Sequence, residues 1–80
     1  MTPLEAISLV AAKAAEAPAQ FKANSRAAAM YWAASELWNA EYASWNAASR
    51  TLGIDSAAAR CAWERRTAYS ELSGILLQAW

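Results

Sequence analysis

The sequence predicts a small all-α protein. Only two Gly and two Pro occur among 80 residues, and alanine is by far the most frequent residue. This composition favours helices over strands. Apolar side chains also recur at helical spacing along stretches without a helix breaker. We predict a single three-helix domain over residues 1–80, with helices at about 3–17, 25–52 and 56–78 and a long antiparallel hairpin formed by the last two.

The first helix is predicted to begin almost at the start of the chain. Thr2 can cap it, Pro3 already has the helical φ, and Glu5 can complete a capping box. The apolar positions that fall on one side of this helix are Leu4, Ile7, Val10, Ala11 and Ala14. Because Pro18 disfavours helical geometry at the residue before it, we expect the helix to end or kink there.

The second helix has two possible starts. Pro18 can open it, whereas Asn24 or Ser25 offers a later N-cap, and we place the start near Asn24. No breaker follows before Gly53. The predicted inward face carries large residues at seven-residue spacing, namely Tyr31, Trp38, Trp45 and Leu52. Beside them lie Ala27, Ala34, Tyr42 and Ala48, so large rings alternate with gaps at the alanines.

The third helix returns along the second. Gly53 is a predicted left-handed C-cap, and Asp55 or Ser56 can cap the helix that follows. The predicted inward face of this third helix is Ala58, Ala62, Tyr69, Leu72, Leu76 and Ala79.

A tight antiparallel connection at this turn pairs position i with roughly position 107 − i. This register predicts the following pairs: Trp38 with Tyr69, Trp45 with Ala62, and Tyr31 with Leu76. It also places Glu41 opposite Arg65 or Arg66. A charge on an apolar face is tolerable when it is paired in this way.

The charge balance narrows the classes of partner. Seven basic and seven acidic side chains give a net charge of zero, which argues against nucleic-acid binding and against a DNA mimic. The longest stretches without charge, 27–35 and 72–80, are far shorter than the roughly 20 apolar residues of a membrane span. Because the first residues lack a basic leader and Cys61 has no second cysteine to pair with, we expect a cytoplasmic protein without a membrane partner.

The sequence lacks the groups of the common catalytic sites. Without any His, it cannot form a Ser-His-Asp or Cys-His nucleophile system or an HExxH zinc site. Cys61 is interpreted as a small buried residue rather than a nucleophile. The Arg50, Arg60, Arg65 and Arg66 group near Trp63 is interpreted as ion-paired rather than phosphate-binding. We therefore predict a protein that is not an enzyme, with no catalytic residues, no metal and no cofactor.

Some aromatic residues are not explained by the predicted core. Trp32 lies on the side of Glu36 and Asn39, and Trp63 lies on the outer side of the third helix. The first helix can cover one of these rings but is too short to cover both. An exposed Trp beside Arg or Asn matches the composition of binding hot spots. The candidate protein-binding residues are Trp32, Glu36, Asn39, Trp63 and Arg66.

These features predict a helical interaction module that binds and blocks, or bridges, a partner protein of unknown identity. The alternative is a homo-oligomeric structural bundle, such as a homodimer, in which the heptad-spaced aromatics pack against a second copy. Whether Trp80 packs, stays exposed or contributes to such a dimer is left open by the sequence.

The small size, the lack of catalytic groups and the Ala- and Trp-rich helices resemble the small accessory inhibitors encoded by bacteriophages, anti-CRISPR proteins among them. The resemblance is one of size and composition, without a shared motif. It implies steric occlusion of a host protein complex.

Overall fold

The computed structural model describes residues 1–79, apart from the side chains of Asn24 and Ala79; the open question about Trp80 lies outside the described residues. The described chain contains no strand. Its four helices are α1 (Pro3–Ala14), α2 (Ala19–Asn24), α3 (Arg26–Leu52) and α4 (Ala57–Ala79). The predicted all-α class is confirmed, as is the long helical hairpin, which α3 and α4 form. Within the described residues there is one helix more than predicted.

Helix α1 begins as predicted but ends earlier. The Thr2 hydroxyl accepts a hydrogen bond from the Glu5 backbone N–H at 3.2 Å and donates one to the Glu5 carboxylate, also at 3.2 Å. The helix ends at Ala14, so the expected end near residue 17 was wrong. The Ala17 N–H bonds to the Ala14 carbonyl at 3.1 Å, a tighter i to i−3 turn that leads the chain into Pro18.

Two helices begin where the sequence offered alternative starts for one helix. One follows Pro18 and the other follows Ser25. Pro18 precedes the short helix α2, and its carbonyl accepts the Phe21 N–H at 2.9 Å. The extended backbone of Ser25 (φ −167°, ψ 163°) then interrupts the helical conformation, and α3 begins at the next residue. Its hydroxyl accepts the Ala28 N–H at 3.0 Å, so Ser25 is the N-cap.

The turn between α3 and α4 follows the predicted chemistry. Gly53 has a positive φ of 98°, and its N–H donates to the Ser49 carbonyl at 3.1 Å. Ser56 caps α4 by accepting the Ala59 N–H at 3.2 Å. This short connection makes α3 and α4 antiparallel neighbours.

The core is built mainly from small side chains. The buried cluster consists of Ala6, Val10, Ala33, Ala34, Tyr69 and Leu76. Ala59 and Ala62 of α4 are buried as well. Alanine permits the backbones of neighbouring helices to approach closely, so this core contains few large residues.

The predicted inward side of α1 is confirmed for Val10, which is fully buried, and for Ala14, which packs against the core, but not for the other three residues. The helix buries Ala6 and Val10, whereas Leu4 is 76 % exposed and Ile7 is also exposed. Ala11, on the same predicted side, is exposed too. Apolar residues occur on several sides of α1, so the helical period does not select one face.

The predicted aromatic seam is only partly inward. Tyr31, Trp38 and Trp45 are half-buried at the edge of the α3–α4 interface. Leu52, which was predicted to face inward, is 66 % exposed because it is the last residue of α3 and lies beyond the overlap with α4. Tyr42 is also exposed. Ala34, which was predicted to lie on this face beside the rings, is fully buried.

The predicted face of α4 is largely confirmed. Ala62, Tyr69 and Leu76 are buried, and Leu72 packs against the core. The prediction that Ala58 faces inward was wrong, since Ala58 is exposed and its neighbour Ala59 is buried.

Candidate binding surface

Five side chains form a continuous surface on one flank of the α3–α4 hairpin. Trp38, Tyr42 and Trp45 lie at i, i+4 and i+7 on α3, so their rings follow one side of that helix. Trp63 and Arg66 lie one turn apart on α4 and meet them from the opposite helix. We call these five residues the aromatic–arginine cluster.

The rings of the cluster contact one another in sequence. Trp38 and Tyr42 are stacked, with centroids 5.3 Å apart and planes 15° from parallel. The Tyr42 and Trp45 centroids are 5.9 Å apart. Trp45 then contacts Trp63 across the helix interface, at 5.3 Å and an interplanar angle of 56°. These are the offset and tilted geometries that aromatic pairs prefer, so the rings help to hold α3 against α4.

Arg66 lies among these rings. Its guanidinium carbon is 3.9 Å from the Trp63 ring centroid, 5.3 Å from that of Trp38 and 5.9 Å from that of Tyr42. Such distances allow cation–π attraction. The buried Nε of Arg66 has no hydrogen-bond partner. Among the described residues, no carboxylate lies within salt-bridge distance of this guanidinium.

The cluster is packed on one side and open on the other. Trp63 is 43 % exposed and Tyr42 is 40 % exposed, while the other three members are half-buried. Trp38 also packs against the buried core that residues of α1, α3 and α4 form. The two long helices thus hold the rings in place while one side of the cluster stays accessible.

An apolar cleft of about 350 Å³ adjoins the cluster at the hairpin turn. Its lining residues are Trp45, Ile54, Ala59, Arg60, Trp63 and Glu64. Ile54, in the turn itself, is largely exposed. Because Trp45 and Trp63 belong to both features, the cleft and the cluster form one surface.

The structure brings Trp63 and Arg66 together but places the other candidate residues elsewhere. Trp32 is half-buried against the core, and the Lys13 ammonium of α1 lies 5.8 Å from its ring centroid. Helix α1 thus contacts Trp32 and leaves Trp63 uncovered. Glu36 and Asn39 are exposed on α3. Asn39 lines a separate groove together with Trp38, which connects it to the edge of the cluster.

Sequence reasoning assigned Trp38, Tyr42 and Trp45 to the core and therefore missed their place in this surface. A signal was available in the predicted register, which pairs Trp45 with Ala62, the residue next to Trp63. Two indoles this close across a hairpin cannot both point into an interface lined with alanine. Their contact at the flank follows from their size.

Among the described residues, Glu41 contributes to both of the pKa shifts that follow. Its hydrogen bond raises the pKa of Arg65. Burial, with a further contribution from the Glu41 charge, raises the pKa of the Tyr69 phenol. Both shifts belong to the interior side of the hairpin and not to the aromatic–arginine cluster.

Cys61 is exposed, so its interpretation as a buried residue was wrong. It lies on α4 next to buried Ala62, and the rotation of about 100° per residue turns it outward. Within the part of the chain that the structure describes, no group of three or more Cys, Asp or Glu side chains is arranged to hold a metal ion. No helix found among residues 1–79 is long and apolar enough to cross a membrane.

Comparison with known proteins gives no match to any family model, curated protein or solved structure.

Proposed function

We propose that this protein is a small, non-enzymatic helical module that binds a partner protein and blocks or bridges it. The observation that carries the proposal is the partly exposed aromatic–arginine cluster on the α3–α4 hairpin. Trp, Tyr and Arg are the residues most enriched in the hot spots of protein interfaces. Here they are contiguous and border an apolar cleft.

The rigidity of the site also favours binding. All five cluster residues lie within two long helices, and the rings restrict one another. A preorganised surface loses less conformational entropy on association than a mobile loop does. Trp63 and Arg66 are therefore the central contacts of the proposal. Trp32, Glu36 and Asn39 form a second candidate area on α3, and Asn39 adjoins the cluster through the groove that it lines together with Trp38.

A more specific form of the proposal is a phage-type inhibitor in the cytoplasm that occludes a host complex, as anti-CRISPR proteins do. Its support is the resemblance in size and composition. The elongated shape of the described chain, 42 × 21 × 18 Å, suits occlusion because it offers long lateral faces to a partner.

Homo-oligomeric assembly is a second candidate, favoured by a separate apolar surface. Ile7 and Ile75, both exposed, line a groove between α1 and α4. A second copy could cover this groove without contacting the aromatic–arginine cluster. Light scattering at dilute protein concentration tests this candidate, and a monomeric mass would eliminate it.

The test of the binding proposal is affinity purification from the native host, followed by titration of the purified partner. Trp63→Ala and Arg66→Ala should each weaken binding about 30-fold, which corresponds to a hot-spot loss of about 2 kcal/mol. Leu77→Ala is the matched control, because it also truncates an exposed apolar residue of α4 but lies outside both the cluster and the groove between α1 and α4. It should leave the affinity within about twofold. Wild-type affinity in both cluster variants would refute the proposal.

A further inference from the structure

We propose that the aromatic–arginine cluster recognises a segment of a partner protein that carries a carboxylate beside a large apolar side chain. The carboxylate binds the guanidinium of Arg66, and the apolar side chain enters the cleft at the hairpin turn. This inference rests on the proposed function and specifies the chemistry of the partner.

The first step concerns the unmatched charge of Arg66. Its neighbour Arg65 has a carboxylate partner, since its Nε lies 2.9 Å from Glu41 Oε1. Arg66, one residue further along α4, instead meets the rings of Trp38, Tyr42 and Trp63. Rings attract the cation through their faces but do not provide the in-plane acceptors that guanidinium N–H groups require.

A carboxylate is the complement of this arrangement. A guanidinium can donate two parallel hydrogen bonds to one carboxylate, and such charge-assisted bonds are stronger than neutral ones. Stacking on Trp63 holds the guanidinium of Arg66 before the partner arrives. Little side-chain entropy is then lost when the hydrogen bonds form.

The second step concerns the cleft. Trp45, Trp63 and Ile54 give it apolar walls, and its volume of about 350 Å³ accommodates a large side chain. The Trp63 indole contacts Arg66 and also lines the cleft. Both parts of the ligand would therefore contact the Trp63 ring. In the partner segment, two residues three or four positions apart on a helix can supply these two side chains, because their Cβ atoms are roughly 5–6 Å apart.

The surrounding charges favour a single carboxylate over a polyanion. The net charge of the chain is zero, and Arg65 is already paired with Glu41. Arg60 and Glu64 both line the cleft, so their opposite charges offset each other there. Binding to nucleic acid depends on several cations that act together on successive phosphates, and these residues do not offer that set.

The experiment uses 4-phenylbutyrate as a probe, because it joins an aromatic ring to one carboxylate. The full chain is titrated while the indole N–H signals of Trp45 and Trp63 are followed by NMR. We expect saturable shifts of both signals, with half-saturation in the millimolar range typical of so small a ligand. 4-Phenylbutylamine, which replaces the carboxylate by an ammonium group, should bind at least about fivefold more weakly, a difference of about 1 kcal/mol.

Two variants assign the preference to a residue. Arg66→Gln should abolish the difference between carboxylate and amine, whereas Arg50→Gln, which removes an exposed arginine outside both the cleft and the cluster, should preserve it. Circular dichroism shows whether each variant keeps its helices. The comparison of the two probes on the wild-type protein needs no variant, so it stands even if Arg66→Gln does not fold.

Three results would overturn the inference. They are equal binding of carboxylate and amine, signals that shift at Trp32 and not at Trp63, and binding of phenyl phosphate more than about tenfold tighter than 4-phenylbutyrate. If partner capture depends on Trp63 and Arg66 but the carboxylate preference is absent, this inference fails and the proposed function stands. If capture is independent of both residues, the proposed function itself fails.

Discussion

Glu41 of α3 and Arg65 of α4 form an ion pair across the helical hairpin, with 2.9 Å between Oε1 and Nε. The pair fixes the register of the two helices as the sequence predicts. It also determines the place of Arg66, because successive residues of a helix point about 100° apart. Arg65 is turned toward Glu41, and Arg66 is turned toward the rings at the flank.

Replacing the arginine of this ion pair should lower the free energy of unfolding more than replacing the glutamate does. The second Glu41 oxygen is already buried without a partner, so Arg65→Met leaves a poorly solvated charge. Two-fifths of the Arg65 side chain is exposed, which limits the expected loss to about 1–2 kcal/mol. Glu41→Gln, which removes the buried charge, should cost less than about 1 kcal/mol. Urea unfolding measures both, and an unchanged midpoint for Arg65→Met would contradict the prediction.

A second prediction concerns the close approach of α3 and α4 at Ala34, which is fully buried. Ala34→Leu should destabilise the fold by about 1–3 kcal/mol, because the added atoms must displace a helix. Ala40→Leu is the control, since Ala40 is an exposed residue of the same helix. Thermal unfolding should show a lower midpoint for the first variant and little change for the second. Equal midpoints would mean that the interface is not tightly packed.

The parts of the fold that were predictable from the sequence are those determined by local chemistry or by charge. Thr2, Ser25 and Ser56 cap helices because their hydroxyls satisfy backbone N–H groups at the predicted starts. Gly53 ends α3 for an equally local reason. The Glu41–Arg65 pair follows from the length of the turn and the cost of leaving a charge unpaired.

The packing was less predictable, because alanine is both a helix former and a core residue. Heptad spacing placed the large rings of α3 inward, yet Ala34 and not Trp38 occupies the centre of the interface. An indole there would hold apart two helices that are otherwise lined by methyl groups. The candidate surface was predictable only at Trp63 and Arg66, since the flank position of Trp45 depends on this packing.

The two glycines should respond in opposite ways to substitution by alanine. Gly53 has a φ of 98° and a ψ of 152°, a region that is essentially restricted to glycine. Gly53→Ala should therefore cost about 2 kcal/mol, although a Cβ there would meet no neighbouring atom. Gly74 is inside α4 with open space around it, so Gly74→Ala should stabilise by up to about 1 kcal/mol. Calorimetry checks both, and a stabilising Gly53→Ala would be inconsistent with the observed turn.

Tyr69 should make the fold sensitive to alkaline pH. Its pKa is raised by burial and then by the Glu41 charge, so the folded protein retains the phenol proton after the unfolded chain begins to lose it near pH 10. The contribution of Tyr69 is therefore complete below about pH 10 and is lost as the pH rises toward the folded pKa. The Tyr69→Phe variant has no phenol proton and so does not lose this stability at high pH. All other titrating groups are the same in the variant and the wild-type protein. The free energies of unfolding should diverge as the pH rises above about 10, and parallel curves would refute the assignment.

Trp32 and Trp63 should separate stability from binding. Trp32 packs against the core beneath Lys13 of α1, so Trp32→Ala should lower the free energy of unfolding by about 2 kcal/mol or more. Its effect on partner affinity should be smaller than its effect on stability. Trp63 is exposed over nearly half its surface, and Trp63→Ala should weaken partner binding while costing about 1 kcal/mol of stability through the lost contact with Trp45.

Each Trp32 and Trp63 variant is examined by urea unfolding and by titration with the purified partner, with Leu77→Ala as the reference in both. Binding is measured at a temperature where every variant remains folded, so that a loss of affinity is not caused by unfolding. If Trp32→Ala weakens binding at unchanged stability, the interface lies on the side of Glu36 and Asn39. The aromatic–arginine cluster would then act only to hold α3 and α4 together.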